Sequence, residues 1–403
     1  MKIIHITASY KPANIYGGPI QSVSKLCEVL GDGTLKVNDL EVLTTTANGT
    51  NELEVKTNVP VSVEGVKVTY FKRWTKDHSH FSPRLLLKLR KEILCYQDNN
   101  NLGKPRLHAP NAKLIIHIHA WWNLVSVLSC FVARWYGVPI VLSPRGMLTS
   151  YTLGNRNSFS KKIIHLLLGK RLLKDCHIHA TSEQEEADIL KIVKPKSIRV
   201  IPNLVNLSYE TQNPGSSVAG SKDLAEDSFK LIFLSRIEEK KGLELLFKAL
   251  TTVDIPWKLT IAGSGDETYL QSLKELTRQL NLTHKISWIG QVNNQDKYKI
   301  MAKHDLLVLT SYNENFANVV VECLSVGTPV LLSDRVGLAE YVNNKQLGWV
   351  TQLETDAIQN GIISAFHNIA GRANIRDIAP LTIQQDFSDD ALIKQYIALY
   401  QTV

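Results

Sequence analysis

Short apolar, β-branched runs alternate with stretches of helical periodicity along most of the chain. In the N-terminal half these runs are KIIHIT, LEVLTTT, VKVTYF, AKLIIHIHA, VPIVLSP, CHIHATS and IRVIPN. In the C-terminal half they are FKLIFLSRI, WKLTIAGSG, KISWIGQV, HDLLVLTS, TPVLLSD and GWVTQ. Continuous apolar strands between helices are typical of parallel sheets covered on both faces. The pattern therefore predicts an α/β protein with two doubly wound, Rossmann-like parallel-sheet domains.

A polar segment separates the two series of strands. Residues 213–228, NPGSSVAGSKDLAEDS, are rich in glycine, serine and charge, which is typical of a linker. We therefore predict an N-terminal domain over 1–212, a linker over 213–228 and a C-terminal domain over 229–385. Ligands of open α/β sheets bind beyond the carboxyl ends of the strands, so a cleft between two facing domains is the expected site.

Composition and charge narrow the class of partner. The net charge of +8 favours anionic partners such as nucleotides or a membrane surface. We expect no nucleic-acid partner, because the basic residues are scattered and no nucleic-acid-binding signature is present. The five cysteines are far apart, which argues against a disulfide framework and favours a reducing compartment. The N-terminus reads as a strand rather than a signal peptide, so we expect the cytoplasm, with the inner face of the membrane as an alternative.

Three strand-to-helix junctions place glycines or cations where backbone amides can meet an anion. Gly17 and Gly18 lie between the first strand and the first helix. Arg236 and Lys241 lie in SRIEEKKGLELL, just before an amphipathic helix, which outlines a diphosphate site. Gly263 follows a strand in TIAGSGDETYL, but the third glycine and the acidic residue of a dinucleotide fingerprint are missing. A nicotinamide enzyme is therefore not expected, and for Gly17 and Gly18 an ordinary turn stays an alternative.

Two His-x-His pairs end predicted strands. His117 and His119 in IIHIHAWWN share one face of a strand, which is also metal-ligand spacing. No third ligand is evident nearby, so we expect no metal there and expect His119 to emerge at the strand's end into the cleft. His177 and His179 repeat the spacing, and for that pair we expect a structural role.

The stretch SYNENFANVVVECLSVGTP contains two glutamates with seven residues between them, Glu314 and Glu322. A helix beginning near Asn315 would carry Glu322 onto a buried, apolar surface. A carboxylate in that position needs a specific partner. From these residues alone, backbone amides and a bound ligand are both candidates.

Taken together, these motifs and their order resemble the retaining glycosyltransferases of family 4, which have the GT-B architecture. The resemblance covers nearly the whole chain. It is most specific over 314–342 and 235–246, and is supported by the double glycine, HIHAWW, SPRGML, IPN and the closing DFSDDALIKQYIALY. It implies that the C-terminal helix, 386–403, crosses back onto the first domain.

The resemblance also implies roles for individual residues. Arg236 and Lys241 would hold the diphosphate of a nucleotide sugar, Glu322 would take the ribose hydroxyls, and Glu314 would face the transferred sugar. The amides at the start of the following helix would point at sugar and phosphate, from Asn315, Phe316, Ala317 and Asn318. The sequence departs from the family at Ala317 and Leu204, where glycine is usual.

The predicted reaction is metal-independent and needs no cofactor besides the donor. No Asp-x-Asp occurs, so Arg236, Lys241 and two helix starts would stabilise the leaving diphosphate. We expect a front-face route in which a phosphate oxygen helps to deprotonate the acceptor while His119 stabilises the sugar. The acceptor would be a glycan or a lipid-linked molecule of cell-surface polysaccharide synthesis.

Alternatives of other classes stay open. A nucleotide-sugar epimerase would need a base for proton abstraction, and a phosphorylase would need a cofactor lysine or a site for free phosphate. A non-catalytic nucleotide-sugar-binding protein would not need the full set of diphosphate cations. The basic, leucine-rich segment 161–176 is a candidate for peripheral membrane contact, although a helix packed on its own core has the same pattern.

Overall fold

The computed structural model describes residues 1–13, 17–32, 37, 39–101, 113–149, 169–207 and 228–403. The predicted linker lies outside the described residues except for Ser228, and so does the first half of the segment 161–176, residues 161–168. Two compact units are formed, one by Met1–Leu204 with Asp389–Val403 and the other by Val205–Ser388. Among the described residues, no helix combines the length and apolar character needed to cross a bilayer.

The first unit is built on one large sheet. Its strands are β1 Lys2–Thr7, β2 Asp39–Thr45, β5 Pro60–Val63, β6 Val66–Phe71, β7 Leu114–His119, β8 Ile140–Ser143, β9 His177–Ala180 and β10 Ser197–Val200, and a separate two-stranded ribbon is formed by β3 Ala47–Asn48 and β4 Asn51–Glu52. The sheet order is β10-β9-β8-β7-β1-β2-β6-β5, and the pairs are parallel except for the antiparallel edge pair β5–β6.

Helices of the first unit cover this sheet. They are α1 Gly18–Gly31, α2 Pro83–Asn101, α3 Leu124–Trp135, α4 Lys170–Lys174, α5 Glu183–Ile192 and the closing helix α13 Asp389–Thr402. The apolar side chains of β1 on both faces are buried, which explains why this strand reads as a continuous hydrophobic run. The closing helix buries Tyr396 and Tyr400, and its Asp389 pairs with Lys25 at 2.6 Å.

The second unit repeats this plan on a six-stranded parallel sheet. Its strands are β11 Phe229–Leu234, β12 Trp257–Ala262, β13 Ile286–Gly290, β14 Leu306–Leu309, β15 Val330–Ser333 and β16 Gly348–Thr351, in the order β13-β12-β11-β14-β15-β16. Its helices are α6 Leu243–Leu250, α7 Glu267–Gln279, α8 Asp296–Ala302, α9 Asn318–Ser325, α10 Ala339–Asn344, α11 Thr355–His367 and α12 Ile369–Phe387, with 3₁₀ turns at Glu239–Lys241 and Thr283–Lys285.

Strand order reverses next to the first strand of each sheet. In the first unit the chain runs from β1 to β2 on one side and returns to β7 on the other. In the second unit the equivalent reversal lies between β11 and β14. A reversal of this kind leaves a crevice at the carboxyl ends of the strands, where ligands of open α/β sheets bind. The loops after β1, β7, β11 and β14 are therefore the candidate positions for a site.

Candidate functional site

Cations gather around Glu314 at the reversal point of the second unit. Lys241, in the 3₁₀ turn after β11, forms an ion pair with the Glu314 carboxylate and is only 5% exposed. Arg236 follows β11 and contacts Glu238 through Nη1 at 2.6 Å. Sequence analysis placed Arg236, Lys241 and Glu314 in one site, and the structure brings all three to the same loop cluster.

Electrostatics keep the Glu314 carboxylate charged. Burial alone would raise its pKa, but the charges of Lys241, Lys240 and Arg236 outweigh burial and leave the pKa below the ordinary value. For Lys241, burial lowers the pKa more than the Glu314 charge raises it. Lys240, which sequence analysis did not select, is therefore part of the cationic cluster.

Backbone contacts hold the loops after β11 and β14 together. The amide of Tyr312 donates to the carbonyl of Lys240 at 2.8 Å, and Thr310 Oγ1 donates to the carbonyl of Gly242 at 3.1 Å. Gly242 has a φ of 69°, and a Cβ there would lie 2.1 Å from the Thr310 carbonyl oxygen. Only glycine fits this junction, so its presence fixes where the preceding lysine points.

Glu322 on α9 has a protein partner that sequence analysis missed. Its Oε1 accepts a hydrogen bond from Lys297 Nζ at 2.7 Å, and both side chains are almost completely buried. The Lys297 ammonium is thus a partner that neither expectation, backbone amides or a bound ligand, had named. The burial of this lysine near the start of α8 becomes visible only in the structure, and it indicates a pair because lysine is rarely buried alone. The proposed contact of Glu322 with ribose stays a prediction.

Helix α9 begins later than the sequence predicted. It starts at Asn318 rather than near Asn315, and Ala317 precedes it in the left-handed conformation with φ 68° and ψ 74°. This backbone explains why glycine is usual at that position, since a Cβ is disfavoured there. The ring of Phe316 is buried against Phe387, with centroids 6.1 Å apart, which gives that side chain a packing role.

The local backbone explains the glycines that we predicted to contact the donor. Gly263 has a φ of 148°, and a Cβ there would lie 1.8 Å from the Ser235 carbonyl oxygen, so the close approach is to the protein's own chain. Gly17 has φ 61° and ψ −129° and precedes α1, whose first residue is Gly18. No side chain caps this helix, which leaves its start accessible to an anion. Contact of these glycines with a donor stays a prediction.

His119 is not the exposed side chain that we expected. Only 1% of the residue is accessible, because it lies on a central strand between β1 and β8 and under the loop after β8. Its Nε2 lies 2.9 Å from His5 Nδ1, and its Nδ1 lies 3.5 Å from Arg145 Nη2. Burial, with the charges of His117 and Arg145, holds the pKa of His119 well below its ordinary value. The expected exposure is wrong, while the role of His119 in turnover stays a prediction.

A third histidine does lie beside the His117–His119 pair, contrary to expectation. It is His5 on β1, and a ligand atom from each of the three lies within 4.8 Å of the others. Hydrogen bonds already engage both nitrogens of His117, which contacts Tyr400 Oη and Ser143 Oγ, each at 2.7 Å, and join His5 Nδ1 to His119 Nε2, although His5 Nε2 has no partner. A metal ion would have to replace those bonds, so the donor set fits a hydrogen-bonded cluster better than a metal centre.

The carbonyl of Ile201 sets the proton positions along one branch of this cluster. Since a carbonyl only accepts, His179 Nε2 donates to it, at 2.7 Å. Burial holds the pKa of His179 at about 3, so the ring is neutral and its Nδ1 accepts from Ser143 Oγ. Ser143 then accepts from His117 Nε2, and His117 Nδ1 accepts from the Tyr400 hydroxyl. Every ring in this branch is neutral, in agreement with the low pKa of each histidine, which burial causes.

Comparison with known families agrees with this geometry. Residues 36–209 match the family described as Glycosyltransferase Family 4, and residues 219–381 match Glycosyl transferases group 1. The chain belongs to the family 4, group 1 glycosyltransferases.

Relatives of this glycosyltransferase are distant. An uncharacterised glycosyltransferase of Methanocaldococcus jannaschii is 27% identical over 300 residues, which are 71% of this chain and 75% of the relative. N-acetylgalactosamine-N,N'-diacetylbacillosaminyl-diphospho-undecaprenol 4-alpha-N-acetylgalactosaminyltransferase of Campylobacter jejuni is 25% identical over 228 residues, 56% of this chain and 60% of the relative. Glycogen synthase of Mycobacterium tuberculosis is 24% identical over 369 residues, 86% of this chain and 81% of the relative.

Solved structures share the fold of this glycosyltransferase. Anabaena HepE in complex with UDP and glucose has a TM-score of 0.72 at 18% identity and is covered over 100% of both chains. Sucrose-phosphate synthase from Thermosynechococcus elongatus has a TM-score of 0.71 at 18% identity, over 100% of this chain and 98% of the other. The predicted fold class, two Rossmann-like α/β domains of GT-B type, is confirmed.

Proposed function

We propose that this glycosyltransferase moves a hexosyl group from a nucleotide-diphosphate sugar to a glycan or lipid-linked acceptor, with retention of configuration and without a metal ion. The observation that carries the proposal is the cluster of Arg236, Lys240 and Lys241 around Glu314 at the reversal point of the second sheet. These three cations outnumber by one the two carboxylates that they pair with, Glu238 and Glu314. They suit a leaving group with two phosphates.

Each residue of the cluster has a proposed task. As the glycosidic bond breaks, charge grows on the diphosphate, and Arg236 and Lys241 stabilise it. Glu314 faces the transferred sugar while its contact with Lys241 holds it in place, and Glu322 accepts the ribose hydroxyls. A phosphate oxygen on the reacting face takes the acceptor's proton, since the family resemblance offers no nucleophilic carboxylate on the opposite face. No cofactor is required.

Donor and acceptor classes are supported by the relatives. HepE was solved with UDP and with UDP-glucose, and the Campylobacter relative is named for a diphospho-undecaprenol acceptor. We therefore propose a nucleotide sugar as donor and a phosphate-linked lipid or glycan as acceptor, in cell-surface polysaccharide synthesis in the cytoplasm.

Arg236→Ala is the cleanest test of the donor site. The Arg236 side chain is 40% exposed, so its loss leaves the core unchanged, and Arg278→Ala removes a matched exposed arginine from an ion pair on α7. We expect Arg236→Ala to raise the dissociation constant for UDP about tenfold or more, because a charge-assisted contact contributes about 1.5–3 kcal/mol. Arg278→Ala should bind as the wild type does. Equal UDP affinity in both variants would contradict the assignment.

Turnover assays address the reaction itself. A panel of nucleotide sugars with a polyprenyl-diphosphate glycan acceptor should give nucleotide release, and NMR of the product should show the anomeric configuration of the donor. Activity should survive chelation. A loss in EDTA that magnesium or manganese restores would contradict the metal-free reaction, and an inverted product would contradict retention.

A further inference from the structure

A cavity of about 460 Å³ lies in the second unit, on elements that the proposed reaction does not use. It is formed by the end of α10, the loop into β16, the first residues of β16 and the start of α12. Its volume is in the range of small-molecule binding sites. The side chains that line it are those of Asn343, Gln346, Trp349, Asn368, Asn374 and Ile375.

The cavity lies at the edge of the sheet opposite to the proposed donor site. Gly348, the first residue of β16, pairs with Val330, the first residue of β15. Arg236 and Glu314 instead follow the last residues of β11 and β14. All strands of this sheet are parallel, so their amino ends share one edge and their carboxyl ends share the other. A ligand in the cavity is therefore not the reacting part of the donor.

The lining carries no charged side chain, although the chain as a whole has a net charge of +8. Cations that neighbour the lining residues in sequence have partners of their own. Lys345 pairs with Asp386 at 2.8 Å, and Arg372 and Arg376 donate to backbone carbonyls. The cavity therefore favours a neutral ligand over an anion or a cation.

Four of the six lining side chains are carboxamides. Those of Asn343, Gln346 and Asn374 are exposed and form no hydrogen bond with another described residue. The fourth, Asn368, is held in place at the start of α12, because its Oδ1 accepts from the amide of Gly371 at 2.9 Å. A carboxamide offers two donors and an acceptor, so the lining suits a ligand with many groups that both donate and accept.

Trp349 supplies an aromatic ring that the protein itself does not cover. The other two tryptophans of the second unit are engaged: Trp257 is 2% exposed with the Lys285 ammonium 4.8 Å from its ring, and Trp288 packs on Phe247 with centroids 6.2 Å apart. Trp349 is half-buried, and among the described residues no aromatic ring or cation packs on its indole and no group accepts from its N–H. Both the ring and the N–H are therefore available to a ligand.

We propose that this cavity binds a neutral saccharide, at a site separate from the donor site. A sugar ring has a C–H face that packs on an indole and hydroxyls that exchange hydrogen bonds with carboxamides. A nucleotide would bring phosphates, for which the lining has no cation, and a wholly apolar ligand would leave the carboxamides without partners.

The use of the site rests on the proposed function. A glycan acceptor or product that is held at a second point stays on the enzyme after its reacting end is released, which raises its effective concentration for the next encounter. The binding of a saccharide itself does not depend on which donor the enzyme uses.

Fluorine NMR of protein labelled with 5-fluorotryptophan tests the site directly. The chain has seven tryptophans, and the signal that is missing from Trp349→Phe is that of Trp349. Maltotriose, cellotriose and triacetylchitotriose are titrated as neutral probes, with adenosine and UDP for comparison. We expect at least one trisaccharide to shift the Trp349 signal to saturation, and adenosine and UDP to leave it unchanged.

Two variants test the contribution of the carboxamides. Asn343→Ala/Asn374→Ala removes two exposed side chains from the lining, and the matched control Asn344→Ala removes the next residue of α10, which is exposed but does not line the cavity. The double variant should bind the trisaccharide about fivefold or more weakly, because two hydrogen bonds are lost. Asn344→Ala should bind as the wild type does. If the double variant does not fold, the two single replacements are measured in its place.

The possible results separate this site from the proposed donor site. Absence of a saturable Trp349 shift with all three trisaccharides overturns the proposal, and so does wild-type affinity in the double variant. A Trp349 shift with adenosine instead of a trisaccharide also overturns it, because the cavity would then be a nucleoside site. A protein that binds a trisaccharide at Trp349 but binds no UDP keeps this site and loses the proposed donor, whereas one that binds only UDP keeps the donor and loses this site.

Discussion

Replacing Lys297 by methionine removes the partner of a buried carboxylate and should strongly destabilise the second unit. The Lys297 and Glu322 side chains are 8% and 7% exposed, and their charged atoms lie 2.7 Å apart. Breaking a buried pair by removing one charge costs about 3–5 kcal/mol, because the other charge stays buried and uncompensated. For a unit of this size, about 2–4 °C is lost per kcal/mol, so the melting temperature should fall by about 6–20 °C.

A double replacement separates the structural task of this pair from its proposed task in binding. Methionine at both positions puts apolar side chains of similar length in place of two charges, which is often nearly neutral for stability. Lys297→Met/Glu322→Met should therefore recover most of the lost melting temperature. If Glu322 accepts the ribose hydroxyls, the double variant should still bind UDP about tenfold or more weakly than the wild type.

Calorimetric melting and UDP titration on the two single variants and the double variant distinguish these roles. A Lys297→Met protein that melts within about 2 °C of the wild type would refute the buried pair, since this shift corresponds to less than about 1 kcal/mol. A stable double variant with wild-type UDP affinity would refute the ribose contact while leaving the pair as a structural element. Glu322→Met alone should lose both stability and affinity.

Other parts of the structure give three more predictions. Burial holds the pKa of His5 and His179 at about 3 against an ordinary 6.5, so these residues bind fewer protons in the folded state than in the unfolded state. Stability should therefore be full above about pH 6.5 and fall on acidification, by about 2 kcal/mol for each histidine at pH 5. The urea midpoint measures this loss, and a midpoint that is the same at pH 7.5 and pH 5 would contradict it. Gly263→Ala should cost about 3 kcal/mol or more in urea unfolding, since its Cβ would meet a carbonyl at 1.8 Å, whereas Gly31→Ala, with open space around it, should fold as stably as the wild type. His119→Ala should lower turnover more than UDP affinity at an unchanged fold, and full activity would remove His119 from the reaction.

Most of the fold could be predicted because the central strands are buried on both faces. Each strand of the second sheet, β11 to β16, coincides with a predicted apolar run. Three short strands were missed, the ribbon strands β3 and β4 and the strand β5. Of these, β5, Pro60–Val63, lies at the edge of the large sheet and alternates between exposed and half-buried positions. A short edge strand that begins with proline gives neither a continuous apolar run nor a strong helical period, so the sequence does not distinguish it from a loop.

Partners within the site could not be predicted in the same way. Arg236 and Lys241 were selected because they lie between a strand and an amphipathic helix, and the role of Glu314 came from the resemblance to family 4. Both signals are local to one stretch of sequence. The lysine that contacts Glu322 is 25 residues away, and the histidine that contacts His119 is 114 residues away. Pairing at that distance depends on which strands and helices become neighbours, which local periodicity does not specify.

The register of β1 against β7 shows what local pattern leaves undetermined. Period-two geometry placed His117 and His119 on one face of a strand, which is correct, but it could not show that parallel pairing sets His5 directly opposite His117. Once that register is known, the low exposure of His119 follows, because a neighbouring strand and the loop after β8 cover its ring. The polar side chain that we expected to be exposed at this strand end is therefore covered. Arg145 in that loop is half-buried and its Nη2 lies 3.5 Å from His119 Nδ1, a contact that neither the strand pattern nor the strand register specifies.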